Sequence, residues 1–304
     1  MIKYSVIGTS WITESFIDGA SLVKELVLDG VYSRSIEKGE EFKNKTGALR
    51  AFSSFDELLK SDTQLVYVAS PNSCHYEQSK ALLESGKHVI CEKPVTLGSE
   101  SLKRMIAASE QTGKLFTVHQ NRRWDADFLM MKQVYESGDL GEVFAMESRV
   151  QGSHGIPGDW RGKPEHGGGM IYDWGVHLID QMLLIFEDKK IKQVRCLCEH
   201  ITNKEVDDGF KLDIIFEDDT VGHIEVGTHH FISLPRFYMT GTAGAAIIND
   251  WRDRTKVISC KTVEEGEVKP VVTAAGMTKT MAPRSEDSLE ESYIERMDSD
   301  VHDY

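Results

Sequence analysis

Gly86-Lys87-His88-Val89-Ile90-Cys91-Glu92-Lys93-Pro94 is the stretch on which the reading of the first half of the chain turns. Gly86 closes a helical pattern and the run to Cys91 reads as a short buried strand, so Lys93 leaves a sheet at the strand's carboxyl end. In an open parallel sheet, ligands bind at that end. Pro94 has no N–H and restricts Lys93 to extended conformations, which sets the direction in which the lysine departs; either isomer of the Lys93–Pro94 bond is compatible with the sequence. A lysine so placed either donates hydrogen bonds to a cofactor or substrate oxygen and shares a proton with it, or is a solvated residue in a turn. Three residues cannot separate these readings.

Upstream, Ile2 to Ile7 forms an apolar strand that runs into Gly8-Thr9-Ser10-Trp11-Ile12-Thr13 and then a helical pattern with Ile12, Phe16 and Ala20 on one side. This is the place for a dinucleotide-binding turn, with pyrophosphate at the helix N-terminus. Of G-x-G-x-x-G only Gly8 remains, and Ser10 and Thr13 replace the other glycines. A second strand, Lys24 to Tyr32, ends at Ser33-Arg34-Ser35, where an acid would bind a ribose 2′-hydroxyl. Ser33 and Arg34, with Lys38 one turn on, suit a 2′-phosphate instead, which favours NADP over NAD; alternatively Arg34 is a solvated residue at a helix start. Ser54-x-x-Glu57 reads as a capping box, and Leu65 to Ala69 as a third strand. It ends at Ser70-Pro71-Asn72-Ser73-Cys74-His75, where Asn72 or Ser73 can cap the next helix and the loop can lie along a nicotinamide ribose.

Downstream, the helix around Leu102, Met105 and Ile106 and the strand Leu115 to His119 continue the alternation, which predicts a doubly wound parallel sheet. Gln120-Asn121-Arg122-Arg123-Trp124-Asp125 then stands at another strand's carboxyl end, and Asp125 to Ser137 reads as a connecting helix stopped by Gly138. From Glu142 the pattern changes to alternating strands. Phe144, Met146, Ser148 and Val150 share one face, as do Phe210, Leu212, Ile214 and Phe216, and Asp218-Asp219-Thr220 is a turn. The expected architecture is an α/β chain, with a Rossmann domain over 1–122 and an α+β domain over 123–304 built on a large open antiparallel sheet. A free sheet face suggests a homodimer or homotetramer.

Gly167-Gly168-Gly169-Met170-Ile171-Tyr172-Asp173-Trp174-Gly175-Val176-His177 lies among these strands. The glycines allow close backbone approach, and a helix follows through Phe186. Asp173 and His177, four apart, would project from one side of that helix, about 5–6 Å apart at Cβ. A carboxylate there can orient a hydroxyl, and a histidine can take its proton as hydride leaves the carbon. The plainer reading makes Asp173 an N-cap and His177 a core histidine.

The 304 residues, 40% hydrophobic and 28% charged, describe a soluble globular chain with room for two cores. No apolar run approaches the roughly 18 residues of a membrane span, and the amino terminus enters a strand without a secretory pattern, so a cytoplasmic location is expected. A net charge of −14 argues against a nucleic-acid partner. Cysteines at 74, 91, 196, 198 and 260 show no zinc spacing and no metal is expected; Cys196 and Cys198 would pack as small hydrophobes on one face of a strand.

The turn at Gly8, the Glu92-Lys93-Pro94 and the Gly167-to-His177 segment, in this order, resemble the Gfo/Idh/MocA oxidoreductases from Ile2 to about Ile258. That resemblance implies a nicotinamide cofactor bound between the two domains. It places the family's catalytic lysine on Lys93, its aspartate and histidine on Asp173 and His177, and its nicotinamide loop on Pro71, Asn72 and His75. The run His119 to Asp125 looks like the branch containing inositol dehydrogenases, notably NADP-dependent scyllo-inositol dehydrogenases. Family members usually continue past the equivalent of Val301-His302-Asp303-Tyr304 into closing helices, where this chain stops.

The expected activity is reversible hydride transfer between NADP(H) and a secondary alcohol of a cyclitol or sugar. His177 is the expected base, Lys93 polarises the oxygen, and Asp173 orients the substrate. Cofactor contacts are expected at Gly8, Thr9, Ser10, Trp11 and Ile12, at Ser33, Arg34 and Lys38, at Ser70, Pro71, Asn72 and His75, and at Glu92, Lys93 and Gln120. Asn121, Arg123, Trp160 and Arg161 are expected to join the three catalytic residues around the substrate. Two rivals are a glycosidase that uses its nicotinamide transiently and a cofactor-sensing regulator.

Overall fold

The central strand of the first domain, β1 (Ile2–Ile7), is buried from Tyr4 onward on both faces, as expected of a strand covered by helices on both sides. The computed structural model describes residues 1–260, 269–284 and 288–296. After β1 come α1 (Trp11–Ser21), β2 (Leu26–Tyr32), α2 (Ile36–Thr46), β3 (Arg50–Phe52), α3 (Phe55–Lys60), β4 (Leu65–Val68), α4 (His75–Glu84), β5 (His88–Glu92), α5 (Ser99–Thr112) and β6 (Phe116–His119). The strands form a parallel sheet in the order β3-β2-β1-β4-β5-β6. The order reverses between β1 and β4, and a crevice opens beyond their carboxyl ends.

Local chemistry sets the ends of these elements. Gly8 adopts φ +107°, and a Cβ there would stand 2.4 Å from the Ala69 oxygen, so the turns after β1 and β4 close only around glycine. The Ser54 hydroxyl accepts from Glu57 N at 3.1 Å, while the Glu57 carboxylate reaches back to Ser53 N. Neither Asn72 nor Ser73 caps α4 with its side chain. Asn72–Cys74 forms a 3₁₀ turn, and the Asn72 amide instead bonds the Gly167 oxygen at 3.1 Å. The Lys93–Pro94 bond is cis.

The second domain begins with α6 (Ala126–Ser137), closed by Gly138 at φ +74°. It continues through β7 (Val143–Gln151), α7 (Val176–Ile185), β8 (Ile191–Glu199), β9 (Gly209–Phe216), β10 (Val221–Gly227), β11 (Phe237–Gly241), β12 (Gly244–Ile248) and β13 (Thr255–Cys260). A small hairpin of β14 (Val271–Thr273) and β15 (Gly276–Thr278) precedes β16 (Leu289–Ile294). The large sheet runs β16-β13-β12-β11-β7-β10-β9-β8. It is mixed, because β10 lies parallel to β7 while its other pairs are antiparallel.

One face of this sheet, with Phe210, Ile214, Ile224, Phe237 and Ile248, packs on Phe128 and Val134 of α6 and on Leu178 and Met182 of α7. Phe144, expected on that face, is exposed. The other face carries ion pairs such as His223–Asp213 at 2.7 Å and Lys256–Glu291 at 2.8 Å. Cys196 and Cys198 are exposed rather than packed, because β8 is the outermost strand and α6 and α7 contact the middle of the sheet. No helix among the described residues is long and apolar enough to cross a membrane.

Candidate active site

A cleft of about 1390 Å³ runs from the carboxyl ends of β1, β4 and β5 to the second domain, and its walls include Ser10, Arg34, Lys93, Arg122, Arg161, Asp173, Trp174, His177 and Trp251. At one end α1 begins with Ser10 as N-cap, without a side-chain cap bond, and Ser10, Trp11 and Ile12 line the cleft. The helix thus points an N-terminus with its uncapped dipole into the space. Arg34 opens on the same cavity, and Ser35 caps α2 by accepting from Lys38 N at 3.3 Å. The tight turn at Gly8, the helix end and a cation beyond β2 fit a dinucleotide phosphate chain.

Lys93 bridges the domains. Its ammonium lies 3.0 Å from the Asp173 main-chain oxygen and 3.2 Å from Asp173 Oδ1. Asp173 sits in a π turn, Ile171–Gly175, that precedes α7, so the two-residue motif spans a π turn and a helix rather than one continuous α-helix. That turn is held close by the glycines. A Cβ on Gly168 would meet the Arg161 oxygen at 2.3 Å, and one on Gly169, at φ +104°, would meet Asp207 Oδ1 at 2.2 Å. The second oxygen of Asp173 receives Arg161 Nε at 2.8 Å. Burial pushes the Asp173 carboxyl up, but the charges and hydrogen bonds of Lys93 and Arg161 win and hold it below the usual range.

His177 is 3% exposed and its Nδ1 meets Gln120 Oε1 at 3.1 Å. With that oxygen accepting, Nδ1 carries the proton and Nε2 keeps its lone pair. Burial first, then the charges of Lys93, Arg122 and His119, lower its pKa to about 2. The imidazole is therefore neutral at any ordinary pH, with its lone pair at Nε2.

Several expected positions do other work. Arg123 turns away and grips Asp180 through two hydrogen bonds of 2.7 and 2.6 Å; its neighbour Arg122 lines the cleft instead. His75 reaches the cleft wall, yet its two ring nitrogens lie 2.8 Å from the Pro94 and Ser70 oxygens, so it braces two loops. Glu92 is buried against Tyr67 Oη at 2.5 Å and His119 Nδ1 at 2.6 Å, and it also accepts from Lys93 N. Ser70 bonds Gln78 and Asn72 bonds Gly167, although both border the cleft. Gln120 serves His177, and Gly8 shapes the turn, while neither Gly8 nor Thr9 lines the cavity. Ser33 and Lys38 do not line it, whereas Pro71, Asn121 and Trp160 do, with the Arg161 guanidinium 4.6 Å above the Trp160 ring.

The sequence reading passed over Arg122, Asp125, Trp174 and Trp251. Trp174 stands inside the quoted glycine-rich segment. Trp251 is on the turn between β12 and β13 and carries no local mark of a cleft residue.

Two family descriptions match the chain, "Oxidoreductase family, NAD-binding Rossmann fold" over residues 2–120 and "GFO/IDH/MocA C-terminal domain" over residues 128–247. The chain is similar to an uncharacterized oxidoreductase of Schizosaccharomyces pombe, 35% identical over 61% of this chain and 52% of that one. It is similar also to an NADP(+)-dependent scyllo-inositol 2-dehydrogenase of Bacillus subtilis, 33% identical over 61% of this chain and 58% of that one. The matched stretches thus span little more than half the length of these relatives. A crystal structure of an NAD-binding protein from Listeria innocua superposes with a TM-score of 0.85 at 38% identity, covering 98% of this chain and 83% of that one.

Proposed function

The chain belongs to the Gfo/Idh/MocA oxidoreductases, and from that premise we propose that it moves a hydride between a nicotinamide cofactor and a secondary alcohol or ketone of a cyclitol or sugar. The observation that carries this reading is the meeting of Lys93, Asp173 and a neutral, open-sided His177 at the carboxyl end of β5. The nicotinamide supplies the hydride acceptor or donor. In the oxidising direction His177 Nε2 takes the hydroxyl proton. Lys93 donates a hydrogen bond to the same oxygen as it becomes a carbonyl, which stabilises the charge that develops there. Asp173 holds the ammonium through its carboxylate and main chain, and Arg161 closes the other side of that carboxylate.

The cofactor would be held by Ser10, Trp11 and Ile12 at the α1 terminus and by the Pro71–Asn72 loop, with residues 1–122 as its domain and 123–304 as the substrate domain. Arg34, open on the cleft with no carboxylate beside it at the end of β2, favours NADP over NAD. The B. subtilis relative is an NADP(+)-dependent scyllo-inositol 2-dehydrogenase, which supports the same choice and a cyclitol substrate. The uncovered face of the large sheet is the surface through which a homodimer or homotetramer would form.

The test is reduced-nicotinamide absorbance with purified protein, a panel of inositols and aldoses, and NADP⁺ and NAD⁺ in parallel. Oxidation of an inositol with NADP⁺ preferred, abolished in Lys93→Ala, is the expected result. Tight cofactor binding with no oxidation of any polyol would overturn it.

A further inference from the structure

The wall of the cleft beside His177 is built from alternating rings and cations. The Arg122 guanidinium lies 4.3 Å from the Trp174 ring centre and 5.7 Å from that of Trp251. The two indoles are 5.7 Å apart, and the Arg236 guanidinium stands 4.3 Å from Trp251. Arg122 is further fixed by Nη1, 3.0 Å from Asp125 Oδ2, and by its main-chain oxygen, which accepts from Gln181 Nε2 at 2.6 Å. Its side chain is only 16% exposed, and that exposure faces the cleft. Nε and Nη2 make no hydrogen bond among the described residues.

We infer that Arg122 is a substrate-contacting residue whose free N–H groups receive two neighbouring hydroxyl oxygens of a neutral polyol. This rests on the oxidoreductase reading of the same site. A guanidinium packed on Trp174 and paired with Asp125 has already lost much of its rotamer freedom, so its donors are positioned before a ligand arrives. The fork matches a pair of oxygens on adjacent carbons better than a single one. A neutral ligand suits this part of the cleft, because the cations beside His177 each already have a carboxylate partner. Asp125 answers Arg122, while Asp159 and Asp173 answer Arg161 and Lys93.

The experiment measures binding of scyllo-inositol and of a monodeoxy inositol lacking one hydroxyl beside the reacting carbon, by calorimetry on NADP-loaded wild type, Arg122→Met and Arg122→Lys. Arg122→Met keeps an unbranched side chain against Trp174, and unchanged NADP affinity with a cooperative melting transition verifies its fold. The expected result is a loss of about 10- to 100-fold in inositol affinity in Arg122→Met, the worth of hydrogen bonds to a charged group. The deoxy ligand should lose far less, and Arg122→Lys should not recover the difference, since an ammonium lacks the fork. Equal losses for both ligands, or none, overturn the inference. So does failure of wild type to bind either ligand, which would also remove the polyol reading. If wild type binds inositol through Arg122 yet oxidises nothing, the oxidoreductase reading falls and this one stands.

Discussion

Lys93 and Asp173 are joined twice, by the ammonium on the aspartate's main-chain oxygen at 3.0 Å and on its carboxylate at 3.2 Å, so the first domain's lysine is aimed by the second domain's backbone. An ammonium held on a main-chain oxygen keeps its direction when the carboxylate is altered. Asp173→Asn should therefore leave measurable oxidation, whereas Lys93→Ala should reduce kcat by about 10²- to 10⁴-fold, the range for losing a proton-sharing group. NADP affinity should change little in either variant. Steady-state kinetics with fluorescence titration of the cofactor separate the two effects.

The His177–Gln120 contact predicts an unusual pH response. His177 has its pKa lowered to about 2, chiefly by burial, so it stays neutral throughout the ordinary range. The profile of kcat/KM should show no acidic limb at the usual histidine pKa. The same group affects stability. Its folded pKa lies below its unfolded one, so its contribution is fully present above the unfolded value of 6.5 and is lost as pH falls toward the folded value. Asp125 works in the opposite direction, because burial raises it to about 6 from 3.8, so folding favours its protonated form and its contribution weakens as pH rises through that window. Urea unfolding across pH 4 to 7 in wild type and Asp125→Asn should show less decline with rising pH in the variant.

Beneath the aromatic wall, Arg236 and Asp127 are both almost fully buried, with Nε 3.0 Å from Oδ2. The guanidinium also reaches Ser148 Oγ at 2.8 Å and lies 4.0 Å from the Phe237 ring centre. Removing one charge strands the other. Asp127→Ala should destabilise the fold by about 3–5 kcal/mol, more than a surface pair would. Replacement of both partners by apolar residues of similar volume should restore much of the loss, as measured by denaturant midpoints.

Local signals carried a good part of this structure and long-range ones were out of reach. The βα alternation and Gly138 were readable because strand runs, caps and stops act within a few residues. Strand β3 (Arg50–Phe52) was missed because three residues hold no periodicity. The parallel pairing of β7 with β10 leaves no trace in either segment, since a strand's alternation is the same in both orientations. The choice between Arg122 and Arg123 depends on the 3₁₀ turn at Asn121–Trp124, which sends one inward and its neighbour to Asp180. Trp251 reaches the cleft only because the β12–β13 hairpin is joined through β11 to β7, a fact of topology that its own neighbours in sequence do not encode.

The end of β2 offers the sharpest test of cofactor choice. Arg34 is exposed, borders the cleft and lies just before α2, whose N-cap Ser35 accepts from Lys38 N. No hydrogen bond or ion pair occupies the Arg34 guanidinium among the described residues, so it is available to a 2′-phosphate. An acidic side chain at this position would repel that phosphate and accept from a ribose hydroxyl. Arg34→Ala should therefore raise KM for NADP⁺ by about 10- to 100-fold, the scale of hydrogen bonds between charged groups, with little change for NAD⁺. Arg34→Asp should go further and reverse the preference. If both cofactors lose affinity equally in Arg34→Ala, the guanidinium acts on a part that they share, such as the pyrophosphate, and the assignment of NADP loses its support.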